Sequence, residues 1–296
     1  MPEPTSHGAS VADRPEAGFT VLRAVPPSIW LSAGFLVLIA GAGILASSLA
    51  PFGIDEQNLG ARLQAPAFAG GPAAHVLGTD ELGRDILSRL LHSIRTSLVT
   101  ALLGTVTAAA IGSAIGAIAA MRGSAIGGVL MGLVDVQASL PFFILAIAVF
   151  AFFGNSLLIL VIVIGLNGWE VYARVARGLV LAERSKDYAE AVRLQGAGPL
   201  HILARHLLPN IAGVLFVKMT LSFPGTILLE SGLSFLGLGV QPPLTSLGLM
   251  VGTGREYLLL APWLAIIPGL VICLTTLSVS LLGDWARDRL DPKLRR

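Results

Sequence analysis

The stretch SLVTALLGTVTAAAIGSAIGAIAA, residues 97–120, contains no charged side chain. A helix needs about 20 mostly apolar residues to cross roughly 30 Å of hydrocarbon, so this stretch is long enough to span a membrane. Small residues recur at every fourth position: Gly104, Ala108, Gly112, Gly116 and Ala120. Such stripes let helix backbones approach closely, either within the chain, which we favour, or against another subunit.

The composition of the whole chain agrees with a membrane protein. Of its 296 residues, 54% are hydrophobic and 13% are charged, and the mean hydropathy is +0.79. A soluble domain carries about 25% charged residues, so this chain cannot cover a water-facing surface. The net charge of +2 gives no basic face for nucleic acid. The single cysteine, Cys273, excludes an intrachain disulfide or a thiolate metal cluster. We therefore predict an all-α integral membrane protein.

Six stretches are apolar and long enough to form transmembrane helices. They are residues 29–50, 97–120, 132–153, 155–174, 211–233 and 261–283. A polar or mixed segment of 28 residues precedes the first stretch, which favours a retained span over a secretory signal. Gly154-Asn155 separates the third and fourth stretches and predicts a tight turn between antiparallel helices.

Lysine and arginine predict the orientation of these spans. If the N-terminus is inside, the inside segments hold 14 basic residues and the outside segments hold 5. This asymmetry favours N- and C-termini on the inside, where basic residues concentrate. The predicted organisation is a tail of residues 1–28, a transmembrane domain of residues 29–283 and a tail of residues 284–296.

Two long segments, residues 51–96 and 234–260, then lie outside. The first ends in an amphipathic pattern typical of a helix at the membrane interface, with apolar residues on one face: Leu82, Ile86, Leu90 and Ile94. Thr79 or Asp80 can cap the start of this helix. The second segment predicts a short re-entrant or interfacial loop.

The chain carries no motif for nucleotide hydrolysis. Its lysines are Lys186, Lys218 and Lys293, and none follows glycine and precedes Ser or Thr as a phosphate-binding loop requires. Its five histidines are scattered, and no Ser/His/Asp set falls in one region. We therefore predict a chain that is not an enzyme and holds no cofactor or metal of its own.

The long inside loop, residues 175–210, has the pattern of two short helices. The first covers Leu181 to Gln195 and ends at Gly196, because glycine accepts the left-handed conformation of a helix end. Pro199 suits the first position of a second helix that runs to Leu208 and stops before Pro209. An ordinary surface loop is the alternative.

This loop resembles that of a known family. Glu190-Ala191-Val192 with Gly196, followed by His206-Leu207-Leu208-Pro209, is similar to the "EAA" coupling loop of permease subunits in binding-protein-dependent ABC importers. Val192 replaces the usual second alanine of that motif. From the residues alone, Glu190 can pair with a cation on a partner, or with Arg193 or Lys186 on its own helix.

Other segments narrow the resemblance to the second, "C" permease subunit of dipeptide, oligopeptide and nickel importers. They are GTDELGRDILSRLL (78–91), LVDVQASLPFF (133–143), SGLSFLGLGVQPP (231–243) and GDWARDRLDPKLR (283–295). The likeness covers about residues 28–295, in the family's order. It departs at Leu247 and Leu249, where the family usually has Trp and Asn.

The resemblance implies a six-span, type I ABC importer permease in the bacterial cytoplasmic membrane. It also implies a second permease subunit, two ATPase subunits or domains that hold ATP and Mg²⁺, and an external substrate-binding protein. In the family, the loop is a coupling helix that sits in a groove of an ATPase subunit, a role carried here by Glu190, Ala191, Val192, Gly196 and Pro209.

Peptide is the cargo that the resemblance implies. Nickel complexes, glutathione or another small solute are alternatives. A self-contained secondary transporter or channel is the first rival class, and it would require inverted repeats or broken helices with an ion site. A membrane enzyme is the second rival class.

Four ionisable residues lie in or near the spans: Asp135, Glu170, Lys218 and Glu230. A charge at mid-bilayer costs about 2.5–3.5 kcal/mol on insertion scales, so these side chains should face protein or water. Asp135 and Glu230 can line the substrate path, or they can serve helix ends and packing.

Overall fold

A computed structural model describes residues 25–122 and 124–290 of the chain. Within these residues the regular elements are helical, and no β-strand occurs. The α-helices are α1 (Pro27–Ile44), α2 (Ala46–Leu49), α3 (Ile86–Met121), α4 (Ser124–Ser139), α5 (Phe142–Phe153), α6 (Leu157–Gly165), α7 (Trp169–Arg184), α8 (Asp187–Leu194), α9 (Pro199–Ile202), α10 (Leu208–Phe235), α11 (Leu247–Gly254) and α12 (Trp263–Leu290). A π-helical turn, Leu203–Leu207, joins α9 to α10. The all-α prediction is therefore confirmed.

Residues 1–24 of the predicted N-terminal tail and residues 291–296 of the predicted C-terminal tail lie outside the described residues. α12 continues to Leu290, seven residues beyond the predicted end of the last span. Five of the basic residues that favoured the predicted orientation also lie outside the described part: Arg14, Arg23, Lys293, Arg295 and Arg296. The orientation thus stays a prediction.

The central helix, α3, has 36 residues. At 1.5 Å per residue it is about 54 Å long, well beyond the thickness of the hydrocarbon. The predicted amphipathic helix and the predicted second span are therefore one continuous helix. It begins at Ile86, and the side chain of Asp85, not of Thr79 or Asp80, caps it by accepting the Ser88 N–H at 2.8 Å.

The polar face of the predicted amphipathic helix is not exposed, although the pattern suggested that it would be. The polar residues of the first turns, Ser88 and Arg89, are buried together with Ile86 and Leu90. This part of α3 is surrounded by the chain itself, in a cluster that includes Leu247 and Met250 of α11.

The small-residue stripe of α3 packs within the chain, as we favoured. α7 and α6 lie against it so closely that a Cβ at Gly112 would meet the carbonyl oxygen of Trp169, and one at Gly104 would meet the side chain of Ile164. A Cβ at Gly116 would likewise meet the carbonyl oxygen of Ala173. Glycine is required at Gly112 and Gly116 by the close approach of two backbones, and at Gly104 by the close approach of the Ile164 side chain.

Four helical segments in the described part are long and apolar enough to span a membrane alone: Pro27–Ile44, Ile86–Met121, Pro199–Phe235 and Trp263–Arg289. The predicted third and fourth spans are instead bent pairs. α4 and α5 meet at 94°, and α6 and α7 meet at 43°. The total is six only if each bent pair is one span, so the six-span prediction stays open.

Both bends have local causes. Pro141 follows Leu140 between α4 and α5, and proline removes a helical N–H while disfavouring the helical conformation of the residue before it. Gly168 precedes α7 with a φ of 84°, in the left-handed region that glycine enters most easily. The turn between α5 and α6 is as predicted, with Gly154 at a φ of 76° and Ser156 capping α6.

Candidate functional site

The 175–210 loop folds as two short helices, but its first helix differs from the prediction. α7 runs to Arg184, and α8 begins at Asp187, so no single helix covers Leu181 to Gln195. Lys186 is extended, with a φ of −83° and a ψ of 149°. The Ser185 hydroxyl donates to the Ala182 carbonyl at 2.9 Å, a local bond of the kind that competes with helix propagation.

The turn after α8 is the one that the sequence predicts. Gly196 has a φ of 85°, and its N–H donates to the Arg193 carbonyl at 3.0 Å. Pro199 then occupies the first turn of α9. Glycine and proline thus fix the angle between α8 and α9.

The second short helix does not stop before Pro209. It continues through the π-helical turn Leu203–Leu207, in which the Leu208 N–H donates to the Leu203 carbonyl. Pro209 lies in the first turn of α10, directly after the π-helical turn. It is therefore part of a helical segment, Pro199–Phe235, that runs on from the loop, and it does not close the loop.

The underside of the loop is apolar and buried against the long helices. We call this contact the loop cluster. Its buried members are Ala117 and Ala120 of α3, Val180 of α7, Ala189 of α8, Ile202 of α9, Leu203 and Leu207 of the π-helical turn, and Ile211 of α10. Because α8, α9 and the π-helical turn pack here against α3, α7 and α10, the loop is fixed to the body of the molecule.

Polar bonds add to this fixation. The Tyr188 hydroxyl donates to Glu183 Oε2 at 2.6 Å and accepts from Asn210 Nδ2 at 3.0 Å, so it joins α7, α8 and α10. Lys186 Nζ lies 2.6 Å from Glu183 Oε1, and this hydrogen bond raises the pKa of Lys186. Arg184 Nη1 donates to the Ala120 carbonyl at 3.1 Å, near the end of α3.

The opposite side of the loop is exposed. Leu194 and Leu200 have 79% and 76% of their surface exposed. Glu190 and Ala191 are exposed, while Val192 is half-buried against the loop cluster. Within the described residues, no ion pair joins Glu190 to Lys186 or Arg193. A cavity of about 400 Å³ opens beside α8, lined in part by Glu190, Arg193 and Pro199.

Four of the predicted coupling residues thus lie together, on α8 and at its end: Glu190, Ala191, Val192 and Gly196. The fifth, Pro209, belongs to α10. The underside of the loop is apolar and fixed to three long helices, whereas its upper side is exposed and carries charged and apolar side chains. This arrangement can receive a partner and transmit its movement.

The two predicted path residues lie in different parts of the molecule. Glu230 of α10 is fully buried, and its Oε1 accepts from the Ser234 hydroxyl at 2.8 Å. Its Oε2 has no partner among the described residues. Asp135 of α4 is exposed and pairs with Arg174 of α7.

A buried ionic network in residues 75–89 was not predicted. Asp80 accepts from Arg84 Nε at 2.7 Å and from Arg89, while Asp85 accepts from Ser88 Oγ at 2.8 Å and pairs with His75 Nδ1 at 3.0 Å. Acidic and basic residues are interspersed in this stretch of sequence. That pattern indicates ion pairs but does not determine which residues form them.

The helical bundle and its docked loop define an integral membrane transport subunit. Residues 112–296 match the family described as "Binding-protein-dependent transport system inner membrane component", and the chain belongs to this family. It is accordingly an inner-membrane permease component.

Relatives extend the similarity over most of the chain. It is 41% identical to a "Di/tripeptide transport system permease protein DppC" of Pseudomonas aeruginosa, over 88% of this chain and 86% of that protein. It is 36% identical to a "Dipeptide transport system permease protein DppC" of Haemophilus influenzae, over 88% and 89%. It is also 36% identical to an "Oligopeptide transport system permease protein OppC" of Escherichia coli, over 88% and 85%.

Proposed function

We propose that this chain is one of two different permease subunits of an ATP-driven importer that carries dipeptides or oligopeptides into the bacterial cytoplasm by alternating access. Relatives named for di/tripeptide, dipeptide and oligopeptide transport match this chain over 88% of its length. That similarity is the observation that carries the proposal, since it includes both the transmembrane helices and the loop.

ATP is hydrolysed in separate subunits that dock on α8. No lysine of this chain stands in a phosphate-binding motif, so the movement must come from outside. The exposed side of α8 offers Glu190 and Leu194 to such a partner, and the loop cluster connects its underside to α3, α7 and α10. A short helix that is bonded and packed at several points transmits the movement of a docked partner to the long helices. A mobile loop would not transmit that movement.

The assembly that follows contains this chain, a second permease, two ATPase subunits or domains and an external substrate-binding protein. The decisive experiment reconstitutes all of them in proteoliposomes and measures uptake of a radiolabelled dipeptide. We expect uptake that requires ATP and the binding protein and that stops when the ATPases carry a substitution of their phosphate-binding lysine. Absence of dipeptide uptake by an active, ATP-hydrolysing complex would contradict the peptide assignment.

The same preparation tests the alternative cargoes and the rival class. Nickel complexes and glutathione are supplied in place of the dipeptide. If the complex takes up one of these and no dipeptide, that solute is the cargo. The broken helices α4–α5 and α6–α7 are a feature also found in self-contained secondary transporters. Uptake by this chain alone, driven by an ion gradient without ATP, would favour that class.

The proposed topology has six spans with both termini inside. Cysteine at Ala197, in the loop, should then resist an impermeant thiol reagent in intact cells, whereas cysteine at the exposed Ala69 should react. Ala69 is preferred to its neighbour Gly70, whose φ of 91° disfavours any side chain. The exposed Cys273 is first replaced by serine to remove its own reaction. The reverse labelling pattern would overturn the topology.

Asp135 and Glu230 are retained as candidates for the substrate path. Asp135 is exposed in the isolated chain and is the stronger candidate. Glu230 is fully buried, so it meets a substrate only after α3, α10 and α11 separate.

A further inference from the structure

Asp135 and Arg174 form an exposed ion pair between α4 and α7. Arg174 Nη2 lies 3.3 Å from Asp135 Oδ1, and the two side chains are 45% and 70% exposed. Their neighbours on α4, Leu133 and Val136, are exposed apolar side chains. An ion pair in such surroundings is unusual for a membrane helix, because lipid cannot solvate it.

The packing of α4 and α7 places this pair deep in the molecule. Val134, next to Asp135, belongs to a cluster with Ala108 and Ala109 of α3. Ala173, next to Arg174, packs against Gly116 of α3. The pair therefore lies level with residues 108–116 of α3, in the inner half of the predicted uncharged span 97–120.

At this depth the two charges must face protein or water. An exposed charge on the lipid side costs about 2.5–3.5 kcal/mol at mid-bilayer on insertion scales, and membrane proteins place such residues toward cavities and substrate paths. Glu170 precedes Arg174 by one turn on α7, and Arg177 follows it by one turn. The resulting stripe has two carboxylates and two guanidinium groups, so its net charge is zero.

We propose that Asp135 and Arg174 form a transit site for the charged termini of a peptide. The Asp135 carboxylate accepts hydrogen bonds from the peptide ammonium group, and the Arg174 guanidinium donates to the peptide carboxylate. The two side chains re-form their own ion pair when the peptide leaves, so neither charge is left uncompensated during the cycle. The neutral stripe attracts a zwitterion without retaining a simple cation or anion. This inference rests on the proposed peptide import.

The test uses the complete reconstituted complex with the double variant Asp135→Asn/Arg174→Gln, which removes both charges and leaves polar groups of similar size. We expect normal assembly, an unchanged KM that the binding protein sets, and a maximal uptake rate about ten-fold lower. ATP hydrolysis stimulated by the loaded binding protein should persist, so fewer peptides enter for each ATP consumed.

Comparison of the double variant with the single variants separates a transit site from a purely structural ion pair. Asp135→Asn and Arg174→Gln each leave one charge without its partner, so either role predicts weaker assembly. If the double variant restores both assembly and full uptake, the pair only connects helices and the inference is overturned. If the wild-type complex itself takes up no peptide, the proposed function fails instead, and the two failures are thus distinguishable.

Solvent access gives a second, independent measurement. In a Cys273→Ser background, cysteine at position 135 of the assembled complex should react with a small water-soluble thiol reagent, and saturating peptide with binding protein and ATP should slow the reaction. Cysteine at the neighbouring Val136 is the matched control and should react more slowly. An unreactive position 135 would mean that lipid or the second permease covers the pair, which contradicts the transit site.

Discussion

The predicted outer region, residues 51–96 with 234–260, and the 175–210 loop are both long connections between apolar helices, but their charges are arranged differently. In the outer region, Asp80, Asp85 and Arg89 are buried and bonded to one another or to nearby residues. In the loop, Glu190 and Arg193 are exposed, above an apolar underside.

The difference teaches what each region can do. Within the outer region, residues 75–89 pair their buried charges with one another and form a scaffold whose shape does not depend on a partner. A region that leaves its charges in solvent, while its underside is fixed to the long helices, holds a binding surface in a defined position. Substitutions in the outer region should therefore lower stability, whereas those in the loop should lower coupling.

The largest effect is expected for Asp80→Ala. This change removes one of the two carboxylates that bind Arg84 and leaves Arg89, whose side chain is only 7% exposed, without its carboxylate. Loss of one partner from a buried ion pair costs about 3–5 kcal/mol, so the thermal unfolding midpoint and the membrane abundance should both fall clearly. Glu81→Gln is the control, because Glu81 pairs with Arg84 alone at 3.0 Å and should change stability by about 1 kcal/mol or less. Equal effects of both variants would remove the distinction between the regions.

The next effect concerns Gly196→Val. The φ of 85° disfavours any residue with a Cβ, at a cost of about 1–2 kcal/mol, and the strain should change the angle between α8 and α9. We expect normal membrane abundance and normal assembly with the second permease. Uptake should be lost, and the ATPase subunits should no longer be recovered with the permease on co-purification. Gly198→Ala is the control, since Gly198 has a φ of −68° and open space around its Cα. Normal uptake by Gly196→Val at normal abundance would contradict the coupling role, and lost uptake with intact ATPase recovery would place the defect in the transmission of movement.

A smaller effect is expected for Tyr188→Phe. The variant loses the hydroxyl that joins Glu183 and Asn210, and a hydrogen bond contributes about 0.5–1.5 kcal/mol. Hydrogen exchange should become faster at the amides of α8 and stay unchanged in residues 75–89. Tyr257→Phe, in the predicted outer region, serves as the matched change and should leave α8 unaffected. If hydrogen exchange became faster to the same extent in α8 and in residues 75–89, the Tyr188 hydroxyl would not stabilise the loop specifically.

The smallest effect on stability is expected for Glu190→Ala, at about 0.5 kcal/mol or less, because the side chain is exposed. ATPase recovery should nevertheless fall, more weakly than with Gly196→Val. The exposed Glu256 of the predicted outer region gives the control substitution, Glu256→Ala, which should leave ATPase recovery unchanged. If the two alanine variants recover equal amounts of ATPase, Glu190 does not contact that partner.

The features that the sequence predicted correctly depend on local rules. Gly196 and Gly154 adopt the left-handed conformation, and Pro199 begins a helix, because backbone sterics of single residues decide these positions. The close packing of the small-residue stripe around Gly112 was likewise predicted from the four-residue spacing alone. The family resemblance added the expectation of a coupling role for α8, which no spacing rule contains and which stays a prediction.

The features that the sequence did not predict depend on distant contacts. Asp80 is a good capping residue by type, but Arg89 lies nine positions further on and engages its carboxylate, so Asp85 caps α3 instead. The continuation of the loop helix through Pro209 requires a π-helical turn that composition does not signal. The ion pair between Asp135 and Arg174 joins α4 and α7. The position of these helices relative to each other is set by their packing against α3.

The length of α3 has a mechanical consequence. Its first turns belong to the buried ionic network of the predicted outer region, and its last turns, at Ala117 and Ala120, belong to the loop cluster. No break interrupts the helix between them. A helix of about 54 Å that tilts by about 5° around its midpoint displaces each end by about 2 Å, in opposite directions. A binding event at one surface of the membrane can therefore reach the other as the swing of a single rigid body, without a relay of side-chain rearrangements.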